Sequence, residues 1–271
     1  MYYCDLNLSL PSLQTSTSPS HLFNLITSSI TDNYHILAVS TTRKGTIPNE
    51  PSLPQIYTHL TPSNIESIYK EHSIKFLNAI QPSLISFPNI NILSRITIEI
   101  SDQKELFQFT SPNNFLKQFD IIAVKPKNDK IFEMCLNSEI NCDMICVDLD
   151  EKYSFNSKKH LICAAVEKGM FFEVNYAKFV VNNESRGVFI SNFMLLNNVL
   201  KGKNVVLSSQ AETYFMHRSP FDVCTIFETV FDMKQHEVKQ MICDNPMKVV
   251  LKAKQRKYFK NTVLVESNKD N

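Results

Sequence analysis

The chain has 271 residues, a net charge of +1 and a 43% hydrophobic share. That share supports a sizeable core in a length that suits one α/β barrel or two small domains. The near-neutral charge excludes the strongly cationic profile of a free-standing DNA-binding domain, although from Lys248 onward seven Lys/Arg stand against two acids. Tyr2–Leu8 reads as a first strand, with Asp5 and Asn7 on one face and Cys4, Leu6 and Leu8 on the other. A Ser/Thr/Pro loop follows, then a helix over Leu22–Ile30 capped by Ser20. His35–Val39 is a second strand ending in the basic turn Arg43-Lys44-Gly45. Prolines interrupt residues 46–91, which read as an irregular insertion.

Ile92–Ser101 is the clearest strand, with Ile92, Ile96, Ile98 and Ile100 opposite Arg95, Thr97 and Glu99. Asp120–Lys125 is a fourth strand, a helix lies around Asp129–Leu136, and Met144–Asp148 is a fifth. Leu161–Val166 and Met170–Val174 read as sixth and seventh strands, separated only by Glu167-Lys168-Gly169. Glu184–Leu200 is a helix with Phe193, Leu196, Val199 and Leu200 on one stripe. Gly202 is placed to stop it, flanked by Lys201 and Lys203. Val205-Val206-Leu207 suits a strand covered on both faces, and Ser208-Ser209 follow at its carboxyl end. Two helices near Phe221–Phe231 and Lys234–Cys243 complete the pattern.

Eight strands mostly separated by helices predict a closed parallel α/β barrel over residues 1–251. The absent helix between strands six and seven breaks that pattern and leaves a doubly wound open sheet as the alternative. Residues 252–271 read as a basic, flexible tail in which Tyr258 and Phe259 interleave with Lys254, Arg256, Lys257 and Lys260. That mix suits phosphate contact with base stacking, or a disordered end.

The polar strand faces, Asp5 and Asn7, Arg95 and Glu99, Glu173 and Asn175, are expected inside the barrel. Buried charge there has to be paired, and Arg95–Glu99 is the expected partnership. A metal-dependent phosphoesterase needs His and carboxylates at strand carboxyl ends. The seven histidines form no His-x-His and no His-Glu-x-x-His, so neither a catalytic residue nor a metal ligand is assigned. No Gly-x-Ser-x-Gly elbow supports a nucleophilic serine, and Ser208 and Ser209 are expected to bond backbone groups. Four glycines and the absence of GxGxxG argue against a phosphate loop. The seven scattered cysteines read as buried small hydrophobes in a reducing compartment, without a second pair to make Cys142 and Cys146 a zinc site. No leader opens the chain and no apolar run reaches about 18 residues, so neither secretion nor membrane spanning is expected.

Several motifs in order resemble one family. They are Asp5-Leu6-Asn7-Leu8, Ile92-Leu93-Ser94-Arg95-Ile96-Thr97, Phe119-Asp120-Ile121-Ile122-Ala123-Val124, Ala165-Val166-Glu167-Lys168-Gly169 with Phe172-Glu173, Ile190-Ser191-Asn192, Lys201-Gly202-Lys203-Asn204-Val205-Val206-Leu207-Ser208-Ser209-Gln210-Ala211-Glu212, and Arg218-Ser219-Pro220-Phe221-Asp222-Val223. Over nearly the full length the chain resembles the thirty-kilodalton protein subunit of archaeal and eukaryotic RNase P, shared in eukaryotes with RNase MRP. The resemblance implies a TIM-like barrel related to the polymerase-and-histidinol-phosphatase (PHP) hydrolases, without their metal site. It implies a subunit that is not itself the catalyst: the RNA removes the precursor-tRNA 5′ leader using Mg²⁺, and the protein braces RNase P and MRP RNA beside a small ferredoxin-like subunit. A metal-dependent phosphoesterase and a protein-only scaffold are the alternatives. A nuclear and nucleolar location follows from the same likeness. By motif position Arg95, Lys168, Arg186, Lys203 and Arg218 are the expected RNA contacts, joined by Lys201 and by Arg256 and Lys257 of the basic end. The chain departs from its relatives at Ser185-Arg186, Thr213 and Ser219, where they tend to carry a second arginine, an arginine and a glycine.

Overall fold

The computed structural model describes residues 2–10, 19–47, 90–110, 113–150, 155 and 157–258. Seven strands form one parallel sheet in sequence order: β1 (Tyr3–Ser9), β2 (Tyr34–Lys44), β3 (Asn91–Ile100), β4 (Ile121–Pro126), β5 (Met144–Val147), β6 (Phe171–Asn175) and β7 (Val205–Ser208). The sheet curls until its ends meet. Leu8 bridges Ala211 in parallel, Ser9 N–H donates to Ala211 O at 2.9 Å, and Gln210 N–H to Asn7 O at 2.8 Å. The closed parallel α/β barrel expected from the sequence is therefore present, and the open-sheet alternative is set aside.

Its helices are α1 (Pro19–Thr31), α2 (Gln103–Phe107), α3 (Asp129–Asn137), α4 (Lys159–Glu167), α5 (Ala177–Val181), α6 (Arg186–Leu200), α7 (Pro220–Phe231), α8 (Gln235–Lys239) and α9 (Asn245–Tyr258). A π-helical turn, Gln240–Asp244, joins α8 to α9. The strand count differs from expectation at one place: Leu161–Val166 lies within α4. Ile162 and Ala165 are its buried stripe, and small apolar residues around them hid the helical period. The stretch read as a strand-to-strand turn is the helix stop. Gly169 sits at φ 78, Lys168 N–H bonds Ala164 O, and Met170 N–H bonds Ala165 O. With α4 in place, β5 and β6 gain the crossover that parallel neighbours require.

The α6 stop uses two left-handed residues rather than Gly202 alone: Lys201 at φ 50 and Gly202 at φ 73. Asn197 secures it, its backbone O accepting from Lys201 N–H and its side chain from Gly202 N–H.

Alternation along each strand sorts side chains. Ile96, Ile98, Ile100, Ile122, Val124, Val205 and Leu207 pack outward against the helices. Cys4, Leu6, Ile36, Ala38, Ala123, Met144, Phe171 and Val206 pack inside. That inner cluster includes Val249, Val250 and Ala253 of α9, so α9 closes the amino end of the barrel like a stopper. The flexible tail expected from residue 252 is thus helical through Tyr258, because burying two valines stabilises it by about 1.5–3 kcal/mol each. Residues 259–271, and nearly all of the expected insertion at 46–91, lie outside the described residues.

Candidate nucleic-acid interface

The barrel interior is occupied by a charged pair. Arg95 and Glu173 are both fully buried and bond in bidentate fashion, with Nη2 donating to Oε2 at 2.6 Å. Arg95 also donates to Leu6 O and to Thr97 Oγ1, and Asn7 Nδ2 lies 3.4 Å from the Glu173 carboxylate. Cys146 donates its thiol proton to Glu173, and burial, reinforced by that carboxylate, pushes its pKa well up. The partner of Arg95 is therefore Glu173, not Glu99. Residues two apart on one strand point the same way, whereas barrel closure brings β3 and β6 face to face.

Glu99 belongs to a ring of paired charges at the carboxyl ends of the strands. Lys125 lies 2.7 Å from Asp148, Lys178 lies 2.9 Å from Asp150 and 3.3 Å from Asp148, and Lys127 lies 3.5 Å from Glu99. Burial works against the Asp148 charge, but Lys125 and Lys178 outweigh it and hold that carboxyl below its ordinary range. Among the described residues no group of three or more His, Cys, Asp and Glu is arranged to hold a metal.

Asp5 does not enter the interior as expected. The register of β1 on β2 slips between Asp5 and Leu8, a bulge that leaves Leu6 and Asn7 inside and turns Asp5 toward the β1–β7 seam. There it accepts from Ser209 N–H at 3.1 Å and meets His217 Nε2 at 3.2 Å. Asp32 lies 3.5 Å from His217 Nδ1 on the other side of the ring. Sequence reasoning gave His217 no role. It is buried, and nothing local in the sequence signals that Asp5, 212 positions away, is its partner. Ser209 bonds backbone as expected, donating to Asn7 O and accepting from Ala211 N–H.

The eight expected RNA contacts separate into three groups. Arg95 is inside the barrel, has no exposed surface and cannot reach RNA from there. Arg186 and Arg218 lie at the carboxyl-end side, where each guanidinium donates to two backbone carbonyls. Arg186 bonds Phe179 O and Val180 O at the end of α5, both at 3.0 Å, and Arg218 bonds Phe215 O at 2.7 Å and His217 O at 2.8 Å. The remaining five gather at the amino end. Arg256 clamps buried Asp143 at 3.0 Å and Lys257 holds Asp120 at 2.6 Å, so these two fasten α9 rather than face outward.

Lys168, Lys201 and Lys203 are exposed on the loops entering β6 and β7, and Lys248 and Lys254 are exposed on α9. Among the described residues none of these five has a carboxylate within ion-pair distance. The bonds of α9 prove that they share one face. Asn245 Nδ2 donates to Gly202 O and Val205 O, and Lys252 Nζ to Gly169 O at 2.9 Å. Among the described residues, the amino end therefore presents five lysines without a carboxylate in reach, whereas Lys125, Lys127 and Lys178 at the carboxyl end are ion-paired.

A family model described as RNase P subunit p30 matches residues 2–258, the whole of the barrel. The chain belongs to this family. Among p30-related proteins, it is 32% identical over 168 residues to ribonuclease P protein subunit p30 of Mus musculus, a span covering 62% of each chain. It is 26% identical over 163 residues to ribonuclease P protein subunit drpp30 of Dictyostelium discoideum, covering 59% of this chain and 43% of that protein. The chain therefore spans less than two thirds of the length of these relatives. The fold is also that of a chain in a cryo-EM structure of archaeal ribonuclease P with mature tRNA, with a TM-score of 0.59 at 14% identity, covering 97% of this chain and 98% of that one. The p30 barrel is thus recovered across its length at an identity too low for any residue role to be carried over.

Proposed function

We propose that this chain is a protein subunit of a ribonuclease P ribonucleoprotein, serving precursor-tRNA 5′-leader removal, and that it holds the RNA on the amino-end face of its barrel. The observation that carries this reading is the set of five exposed lysines, Lys168, Lys201, Lys203, Lys248 and Lys254, with no carboxylate opposite them among the described residues. A surface charge without a counter-charge is free to neutralise phosphate and release condensed cations. The barrel mouth competes poorly, because Lys125, Lys127 and Lys178 already face Glu99, Asp148 and Asp150. In this reading the protein braces the RNA, and the RNA carries catalysis together with its Mg²⁺. The same protein serves RNase MRP, sits beside a small ferredoxin-like subunit, and works in the nucleus and nucleolus. The relatives named as ribonuclease P subunits support membership in ribonuclease P.

The test is the salt dependence of RNA affinity for the wild type and for a Lys201→Glu/Lys203→Glu variant. Loss of two phosphate contacts lowers the slope of log affinity against log salt by about 1.4–1.8. An unchanged slope and affinity, in a variant that keeps its unfolding midpoint, would remove the amino-end face from consideration.

A further inference from the structure

Beside the unpaired lysines, α9 leaves a cavity of about 120 Å³ between its last two turns and the amino ends of β3 and β4. Leu93, Ile121, Val250 and Ala253 make its apolar walls, Asp120 contributes a carboxylate, and Lys254, Lys257 and Tyr258 form the rim. We infer that this cavity is a receptacle for one unpaired nucleobase extruded from the bound RNA, an inference that rests on the amino-end RNA face proposed above.

Three features of the cavity favour a base over other occupants. Tyr258 is 65% exposed at the rim, a flat aromatic surface beside apolar walls that phosphate alone does not seek. Stacking on such a ring is the sequence-tolerant contact by which proteins hold unpaired bases. Lys257 Nζ lies 5.7 Å from the centre of the Tyr258 ring while also bonding Asp120 and Gln118 O. The cation therefore anchors one side of the ring to the barrel and stiffens the rim. Lys254, exposed and without an acidic partner among the described residues, stands at the same rim, where the phosphate of an inserted nucleotide needs a counter-charge.

The end of α9 is braced independently of any ligand. Arg256 reaches Asp143 and Asp120 O, and Ser94 donates two hydrogen bonds to Asp120 from N–H and Oγ at 2.9 and 2.8 Å. The walls thus hold their shape without an occupant, so a base entering the cavity does not have to order them.

Binding of two RNA hairpins, identical except that one carries a single unpaired adenosine bulge, tests the inference. The intact chain is expected to favour the bulged hairpin by about tenfold, in line with one stacked base. Tyr258→Ala, which removes an exposed ring and leaves the core intact, and Ala253→Leu, which fills the cavity, should each abolish that preference while leaving the affinity and salt slope for the paired hairpin unchanged. Lys201→Glu/Lys203→Glu should weaken both hairpins alike and keep their ratio. Equal binding of the two hairpins by the intact chain would overturn the inference and assign the cavity to a protein side chain. A preference that survives both cavity variants would overturn it as well. If the lysine variant changes neither hairpin, the RNA-face reading itself fails.

Discussion

Arg95 on β3 and Glu173 on β6 meet across the barrel axis as a bidentate ion pair with no exposed surface. The pair fills the middle of the barrel with matched charge. Removing one partner leaves the other buried and uncompensated, which costs more than the pair itself contributes. Glu173→Gln is therefore expected to destabilise by about 3–5 kcal/mol. Replacing both residues with apolar ones, Arg95→Met with Glu173→Leu, should restore most of that loss. Urea unfolding midpoints of the single and double variants measure the difference, and equal losses would show that the pair is not coupled.

The basic residues at the amino end should divide into two classes. Arg256 is bound to Asp143, which is fully buried and also accepts from Ile122 N–H at 2.8 Å. Arg256→Ala is expected to lower stability by about 3 kcal/mol, because it strips a buried carboxylate of its counter-charge. Lys254→Ala, at an exposed position with no ion-pair partner among the described residues, should stay within about 0.5 kcal/mol. Thermal unfolding separates the two, and RNA affinity measured well below the transition should respond to Lys254 all the same.

Stability should depend on pH through the seam between β1 and β7. Burial opposes charge on His217, but the carboxylates of Asp32 and Asp5 outweigh it and raise the imidazole pKa above its ordinary value near 6.5. Ser29 Oγ of α1 and the Tyr34 ring of β2 complete its surroundings. A histidine with a raised pKa binds its proton more tightly when folded. Its contribution is therefore fully present below pH 6.5 and is lost as pH rises through the folded value. Asp5 runs the other way. Burial pushes its pKa up, His217 and Ser209 override this and lower it, so its contribution is present above about 3.8 and is lost as pH falls through the lowered folded value. Stability should decline from pH 6 to pH 9 in the wild type, and His217→Gln should flatten that decline. A parallel decline in both proteins would assign the effect elsewhere.

Cysteine reactivity offers a test of the core. Six of the seven cysteines are buried and Cys163 is partly exposed. Burial pushes Cys142 up to about 12 against the opposing charge of Lys252, and burial with Asp244 and Cys224 does the same for Cys243, so the reactive thiolate is scarce there at neutral pH. Native-state alkylation followed by mass spectrometry should label Cys163 first and the others only on unfolding. Early labelling of Cys142 or Cys146 would place β5 outside the core.

The alternation of β3 was legible residue by residue, since Ile96, Ile98 and Ile100 do face the helices and Arg95 and Thr97 the interior. The continuous run of β7 was legible too, as Val206 packs inside while Val205 and Leu207 pack outside. Leu161–Val166 was misread because a short run of small apolar residues carries no period that separates helix from strand. The α9 segment was read as a tail because its lysines dominate its composition. Only the open end of the barrel supplies the apolar surface on which Val249, Val250 and Ala253 become core.

Most strand patterns, the helix stop after Leu200 and the order of the family motifs reside in contiguous residues, so they were legible in the chain alone. Which charges are available to a partner was decided only by the tertiary structure. Arg95, Arg186, Lys203, Arg218 and Arg256 look alike along the chain. Barrel closure pairs Arg95 with Glu173, the docking of α9 pairs Arg256 with Asp143, and loop carbonyls orient Arg186 and Arg218. Lys203 keeps its charge for solvent or phosphate. A counter-charge acts over a few ångströms of space, and the chain brings such partners together from 78 and 113 positions away.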